Sequence, residues 1–154
     1  MNRREFLTIN ASAMASLCIP LLVMTALPPR PLIYIIYYGF DVAEILCDCL
    51  GWFYPGTFET KAGQDGKECL EMVWKRKPAL VVTDIFMPVM TGLDSLKIIR
   101  RKFSKSQLPV FTISGFCSED RCLTAGANMY RMMPVRLKEF AWCCRSFIQN
   151  SNIG

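Results

Sequence analysis

Asp84 is the residue whose type and position are best suited to chemistry. It closes the run Pro78-Ala79-Leu80-Val81-Val82-Thr83-Asp84, an apolar and partly β-branched stretch with the signature of a buried strand. In open parallel α/β sheets, reacting groups collect just past the carboxyl ends of the strands. A lone carboxylate there can serve as a nucleophile or as a metal ligand. Phe86, Met87-Pro88 and Thr91-Gly92 follow in a loop that opens into a helical pattern. Ser114 ends another β-rich run, Pro109–Ser114, and Tyr130 lies in a third, Asn128–Met133. The chain contains no histidine, which excludes imidazole acid–base work, histidine metal ligands and a phosphohistidine carrier. A metal-dependent phosphatase of the kind that places a second Asp two residues after the first is disfavoured, because Phe86 holds that place. Its eight cysteines include no C-x-x-C pair, so zinc and dithiol redox motifs are not expected. Most read as small buried hydrophobes in a reducing compartment.

The elements that must position these residues alternate. Leu32–Tyr38 reads as a first central strand, followed by a helix capped by Asp41 and running to about Leu50, with Val42, Ile45, Leu46 and Cys49 inward. Thr57–Ala62 reads as a short strand near an edge. Lys67–Lys77 reads as a helix with Leu70, Val73 and Trp74 inward, and Ala79–Asp84 as the third strand. Leu93–Phe103 is the third expected helix and Ser118–Ala125 the fourth, stopped at Gly126. Val135 to about Gln149 is the last, with Leu137, Phe140, Ala141, Cys144 and Phe147 inward. Strands separated by helices imply an α/β fold with a parallel sheet covered on both faces. Five strands in this length suit the flavodoxin-like order 2-1-3-4-5. A flavin or nucleotide site would need a phosphate-cradling loop after the first strand, but Gly39-Phe40-Asp41 offers one glycine and an acid.

In their order, these motifs closely resemble the receiver domain of two-component response regulators, over about residues 31–150. The resemblance implies that Asp84 is the phosphoacceptor, with Met87-Pro88 and Thr91-Gly92 following as in the family. It implies that Ser114, before Gly115, and Tyr130 are the switch residues. Gly126-Ala127 precedes the fifth strand and Pro134 follows it, again as in the family. Two departures stand beside these matches. The family's acidic pair after the first strand, which holds Mg²⁺, aligns with Tyr37 and Tyr38, and its lysine after the fifth strand aligns with Met133. Asp84, the Phe86 carbonyl and water then make a weak site for Mg²⁺, a cation that favours octahedral oxygen donors. Phosphoryl transfer depends on metal and cationic groups around the equatorial oxygens. Each missing charge-assisted contact is worth about 1.5–3 kcal/mol, so the loss of three lowers transfer by several orders of magnitude. With no acid beside it, Asp84 is not expected to have its pKa raised by like charge.

The resemblance therefore implies a single-domain signalling module of a phosphorelay, degenerate at these positions and acting by protein–protein binding. Phe116, Tyr130, Met132 and Trp142 are candidates on a face formed by the fourth helix, fifth strand and fifth helix. The alternative is a working phosphoswitch in which Asp84 accepts phosphate from a histidine kinase; at most this is self-phosphotransfer, not enzymatic turnover. The implied partner is a histidine kinase or another signalling protein, with a homodimer as an alternative assembly.

The net charge of +5 does not by itself indicate a nucleic-acid partner. Lys75-Arg76-Lys77 and Arg100-Arg101-Lys102 fall at predicted helix ends, where cations complement the helix dipole. Residues 1–30 form a separate leader. Arg3-Arg4 resembles a twin-arginine export signal, and Phe6–Leu27 runs uncharged for 22 residues, about the length of a membrane span. Pro28-Pro29-Arg30-Pro31 reads as a stiff linker into domain 31–150, and 151–154 as a tail. The leader is an export signal, an uncleaved anchor or a mis-started extension. A cytoplasmic location is favoured over a membrane-anchored or exported one, and any membrane contact is expected through this segment alone.

Overall fold

The computed structural model describes residues 29–151, so the leader and the tail expected from sequence lie almost wholly outside the described residues. Five strands and five helices alternate along the chain: β1 (Leu32–Ile36), α1 (Phe40–Phe53), β2 (Glu59–Gly63), α2 (Gly66–Lys75), β3 (Leu80–Thr83), α3 (Gly92–Arg100), β4 (Val110–Ser114), α4 (Glu119–Thr124), β5 (Met129–Met132) and α5 (Leu137–Ser151). All strand pairs are parallel and the sheet order is β2-β1-β3-β4-β5. This is the flavodoxin-like arrangement expected from the alternation, with β2 on an edge.

Side-chain alternation along the strands divides the core in two. Tyr34, Ile36 and Val81 point toward α2, α3 and α4, where they meet Leu70, Val73, Leu96 and Ile99. Ile33, Ile35, Val82, Phe111 and Ile113 point the other way, toward Leu46, Leu50, Phe140 and Cys144 of α1 and α5. Every residue of β1, β3 and β4 is buried, as expected for central parallel strands covered on both faces.

Several local expectations are corrected. β1 stops at Ile36, because its pairing with β2 and β3 ends there and Gly39, at φ 112°, turns the chain into α1. Gly39 also occupies the N-cap position of α1, without a side-chain cap; Asp41 sits in the first turn instead. The inner face of α1 is Ala43, Leu46, Cys49 and Leu50, leaving Ile45 exposed. Trp74 of α2 is also exposed. Among the seven described cysteines, all free, six are buried. Cys117 and Cys122, with sulfurs 3.5 Å apart, flank the Ser118 cap of α4 in the positions of a hydrophobic staple.

Arg100 is not the solvated helix end that the sequence suggests. Its Nε donates to the Gly126 carbonyl at 2.8 Å, Nη1 to the Leu108 carbonyl at 2.9 Å and Nη2 to Asn128 Oδ1 at 3.0 Å. Asn128 Oδ1 also accepts the Val110 N–H at 3.0 Å. The guanidinium thereby ties the C-terminus of α3 to the starts of β4 and β5, and its partial burial lowers its pKa.

Candidate functional site

The carboxyl ends of β1, β3, β4 and β5 form a cavity of about 650 Å³ lined by Tyr37, Tyr38, Asp84, Phe86, Ser114, Gly115, Phe116, Met133 and Pro134. Every residue assigned from sequence to the phosphoacceptor, the metal or the altered positions is in this set. Asp84 is the only carboxylate among them and no lysine or arginine is present.

The strand ends fix Asp84 firmly. Its N–H donates to the Ile36 carbonyl at 2.8 Å, and its Oδ1 accepts the Ile85 N–H at 2.6 Å and the Phe86 N–H at 3.3 Å. The Thr83 hydroxyl donates to the Asp84 carbonyl at 2.8 Å. The loop that follows is closed by the Gly92 N–H on the Ile85 carbonyl at 3.0 Å and the Gly66 N–H on the Met90 carbonyl at 3.0 Å. A Cβ on Gly92 would overlap the Asp84 carbonyl oxygen, so this approach requires glycine.

Asp84 is only 7% exposed, and desolvation raises its pKa; the two backbone N–H groups and the nearby Ser114 hydroxyl oppose that rise. Like charge plays no part, as expected from the sequence. Ser114 Oγ itself is buried without a partner in hydrogen-bonding geometry; it lies close enough to favour the carboxylate without bonding it. Tyr37 stands beside Asp84: its phenol pKa is raised by burial and by the Asp84 charge.

The pH consequence has a definite sign. A carboxyl whose folded pKa exceeds its unfolded value contributes stability below the unfolded pKa, and that contribution is lost as pH rises through the folded value. Asp84→Asn keeps an acceptor for the Ile85 N–H and carries no charge. It is expected to be more stable than the parent at pH 7, with the difference closing below about pH 3.9, the ordinary aspartate value. Urea midpoints of both chains at neutral and acid pH check this; a variant less stable at pH 7 contradicts it.

The remaining sequence candidates divide. Phe116, Met132 and Trp142 are exposed, at 92%, 64% and 60%. Tyr130 is not available to a partner as expected. It is buried, and its hydroxyl donates to the Cys117 carbonyl at 2.6 Å and the Ser114 carbonyl at 3.1 Å. Burial wins because the ring closes the core under α4, while the hydroxyl satisfies the carbonyls of the β4–α4 connection. This inward tether and the Arg100 hub were not recognised from sequence. An aromatic in an edge strand and an arginine at a helix end carry no signal that tells buried from exposed.

A family model for the response regulator receiver domain matches residues 41–140. The chain belongs to the response regulator receiver family. This receiver domain is a module of two-component signalling, a system in which receiver domains interact with histidine kinases and other signalling proteins. It is 33% identical over 87 residues to the two-component response regulator ORR3 of Oryza sativa subsp. indica, covering 54% of this chain and 66% of that one. It is 40% identical over 67 residues to a protein-glutamate methylesterase/protein-glutamine glutaminase of Pyrococcus abyssi (strain GE5 / Orsay), covering 44% of this chain. The match spans only 17% of that relative. The CheY-like response regulator receiver domain protein of Methanospirillum hungatei JF-1 superposes with a TM-score of 0.72 at 18% identity, over 80% of this chain and 98% of that one. At such identity the likeness concerns the fold alone.

Among the described residues, no helix is long and apolar enough to cross a membrane. The apolar run Phe6–Leu27 lies outside the described residues.

Proposed function

We propose that this receiver is a degenerate one, which signals by binding a partner protein in a single conformation and without phosphate on Asp84. The observation that carries this reading is the composition of the Asp84 cavity: one carboxylate, no cation, and walls of Tyr37, Tyr38, Phe86, Phe116, Met133 and Pro134.

The donor set does not fit Mg²⁺. That ion demands near-ideal octahedral oxygen coordination and is usually held by carboxylates together with water. Here Oδ1 of Asp84 is already engaged by two backbone N–H groups, and the Phe86 carbonyl and Ser114 hydroxyl are neutral donors. Among the described residues no cluster of three acids, histidines or cysteines suits a metal. Met133 has no ammonium to meet a phosphoryl oxygen. What remains of the family site is its frame: a rigid Asp84, the closed loop to Gly92 and a hydroxyl at the end of β4.

Tyr130, held inward by two carbonyls, supports a fixed β4–α4 connection that keeps Phe116 presented to solvent. Phe116, with Met132 on the edge strand β5 and Trp142 on α5, is the surface this reading assigns to the partner, a histidine kinase or another signalling protein. Isothermal titration of the chain with Mg²⁺ is expected to give no saturable heat. A one-site isotherm that vanishes in Asp84→Asn contradicts the reading and favours the phosphoswitch.

A further inference from the structure

The end of the sheet opposite Asp84 gathers cations that are far apart in sequence. The C-termini of α2 and α3 both lie there, and with them the segment by which the chain enters the domain. Arg30, Arg76 and Lys77 line one cavity with Pro29, Pro31, Pro78, Ser106 and Gln107. Lys77 Nζ donates to the Gln107 carbonyl at 3.0 Å and sits 5.7 Å from the centre of the Phe103 ring. Lys102 Nζ lies 4.8 Å from the Trp74 ring and 5.6 Å from that of Phe103, and the two rings are 6.0 Å apart. Lys75, Arg101 and Lys105 add exposed cations beside this group. Glu59 offsets Arg76 at 2.9 Å, and Lys75, Lys77, Arg101, Lys102 and Lys105 make no ion pair among the described residues.

We infer that this basic end of the domain, centred on Lys77, Lys102 and Trp74, docks on an anionic lipid surface. Three observations select that partner. First, Lys102 lies over an exposed indole, Trp74, 42% accessible, and Lys77 lies over the adjoining Phe103 ring. An exposed tryptophan with lysines beside it suits the headgroup layer, where tryptophan partitions and lysine chains reach phosphates. Second, residues 29–31 sit within the patch, and the uncharged run Phe6–Leu27 ends two residues before Pro29. An apolar segment and a polybasic surface thus adjoin in one chain, and stable attachment generally takes two such signals. Third, the patch caps the starts of β1, β3 and β4, so docking through it leaves Asp84 and Phe116, at the strand ends, facing away from the lipid. The inference is independent of whether Asp84 is phosphorylated.

The test is partition of the full chain onto phosphatidylcholine vesicles with and without phosphatidylserine. Each cation near an anionic surface contributes about fivefold. The double variant Lys77→Gln/Lys102→Gln is therefore expected to bind phosphatidylserine vesicles about 30-fold more weakly, with little change on phosphatidylcholine alone. Added salt should erase the difference. Both lysines are exposed, so the fold should persist, which circular dichroism checks. Lys61→Gln/Lys138→Gln, exposed cations on other surfaces, should bind as the parent does. Equal binding to both vesicle types, or equal loss in the two double variants, overturns the inference. So does a patch that holds a DNA oligonucleotide more tightly than the vesicles at the same salt.

Discussion

Tyr37→Asp/Tyr38→Asp/Met133→Lys, made together, is expected to take up phosphate on Asp84 at least about 10³-fold faster than the parent chain. The size follows from three restored charge-assisted contacts of at least about 1.5 kcal/mol each, some 4.5 kcal/mol in the transfer step. The frame is suited to the change. Tyr38 is 63% exposed, and Tyr37 and Met133 are only part-buried, so none of the new charges enters the core. Two acids beside Asp84 would supply the carboxylates that Mg²⁺ requires, and the lysine would meet the phosphoryl oxygens. The added acids should also raise the Asp84 pKa further until metal binds, so uptake should depend steeply on Mg²⁺. Phosphate incorporation from a small-molecule donor, followed by intact mass with and without Mg²⁺, measures both. A triple variant that folds, binds Mg²⁺ and still takes up no phosphate would show that the obstacle lies elsewhere in the site.

The second large effect is on stability. Gly92→Ala is expected to lower the unfolding free energy by about 3 kcal/mol or more, since overpacking against atoms that cannot move aside costs at the upper end of its usual range. The new methyl would meet the Asp84 carbonyl oxygen and the Ile85 Cα, all backbone, with no flexible side chain able to yield. Relief by displacement would break the Gly92–Ile85 hydrogen bond and pull Thr91 from its cap on Asp94. The control is Gly51→Ala in α1, where a Cβ meets nothing within 4 Å and the helix gains about 0.5–1 kcal/mol. Opposite shifts in the urea midpoints of the two variants are the expected result. A Gly92→Ala chain as stable as the parent contradicts the described packing at Asp84.

Much of this was legible in the sequence, and the exceptions have physical reasons. Strand and helix alternation, sheet order and the position of Asp84 follow from periodicity and from apolar runs that end on polar residues. The strand preference of aromatic residues extends β1 over Tyr37 and Tyr38, yet they wall the cavity beyond the last paired residue. In α1, hydrophobicity favoured Ile45 over Ala43, but small Ala43 is what packs fully against the sheet. The bulk of Trp74 suggests an inward position, but it is exposed, with Lys102 over its ring. The meeting of Lys77 with Lys102, and of Arg100 with Asn128, depends on crossover connections that no local pattern records. The unlike residues in the Asp84 cavity could be read from sequence because they stand at positions with a fixed relation to the strand ends.

Asp84 is expected to carry no phosphate when this receiver binds its partner. The most direct test is the intact mass of the full chain after exposure to a small-molecule phosphodonor and Mg²⁺, with Asp84→Asn as control. Both masses are expected to stay unchanged while the chains remain folded. A gain of one phosphate by the parent, absent from the control, would contradict this and establish that Tyr37, Tyr38 and Met133 are compatible with a working phosphoswitch.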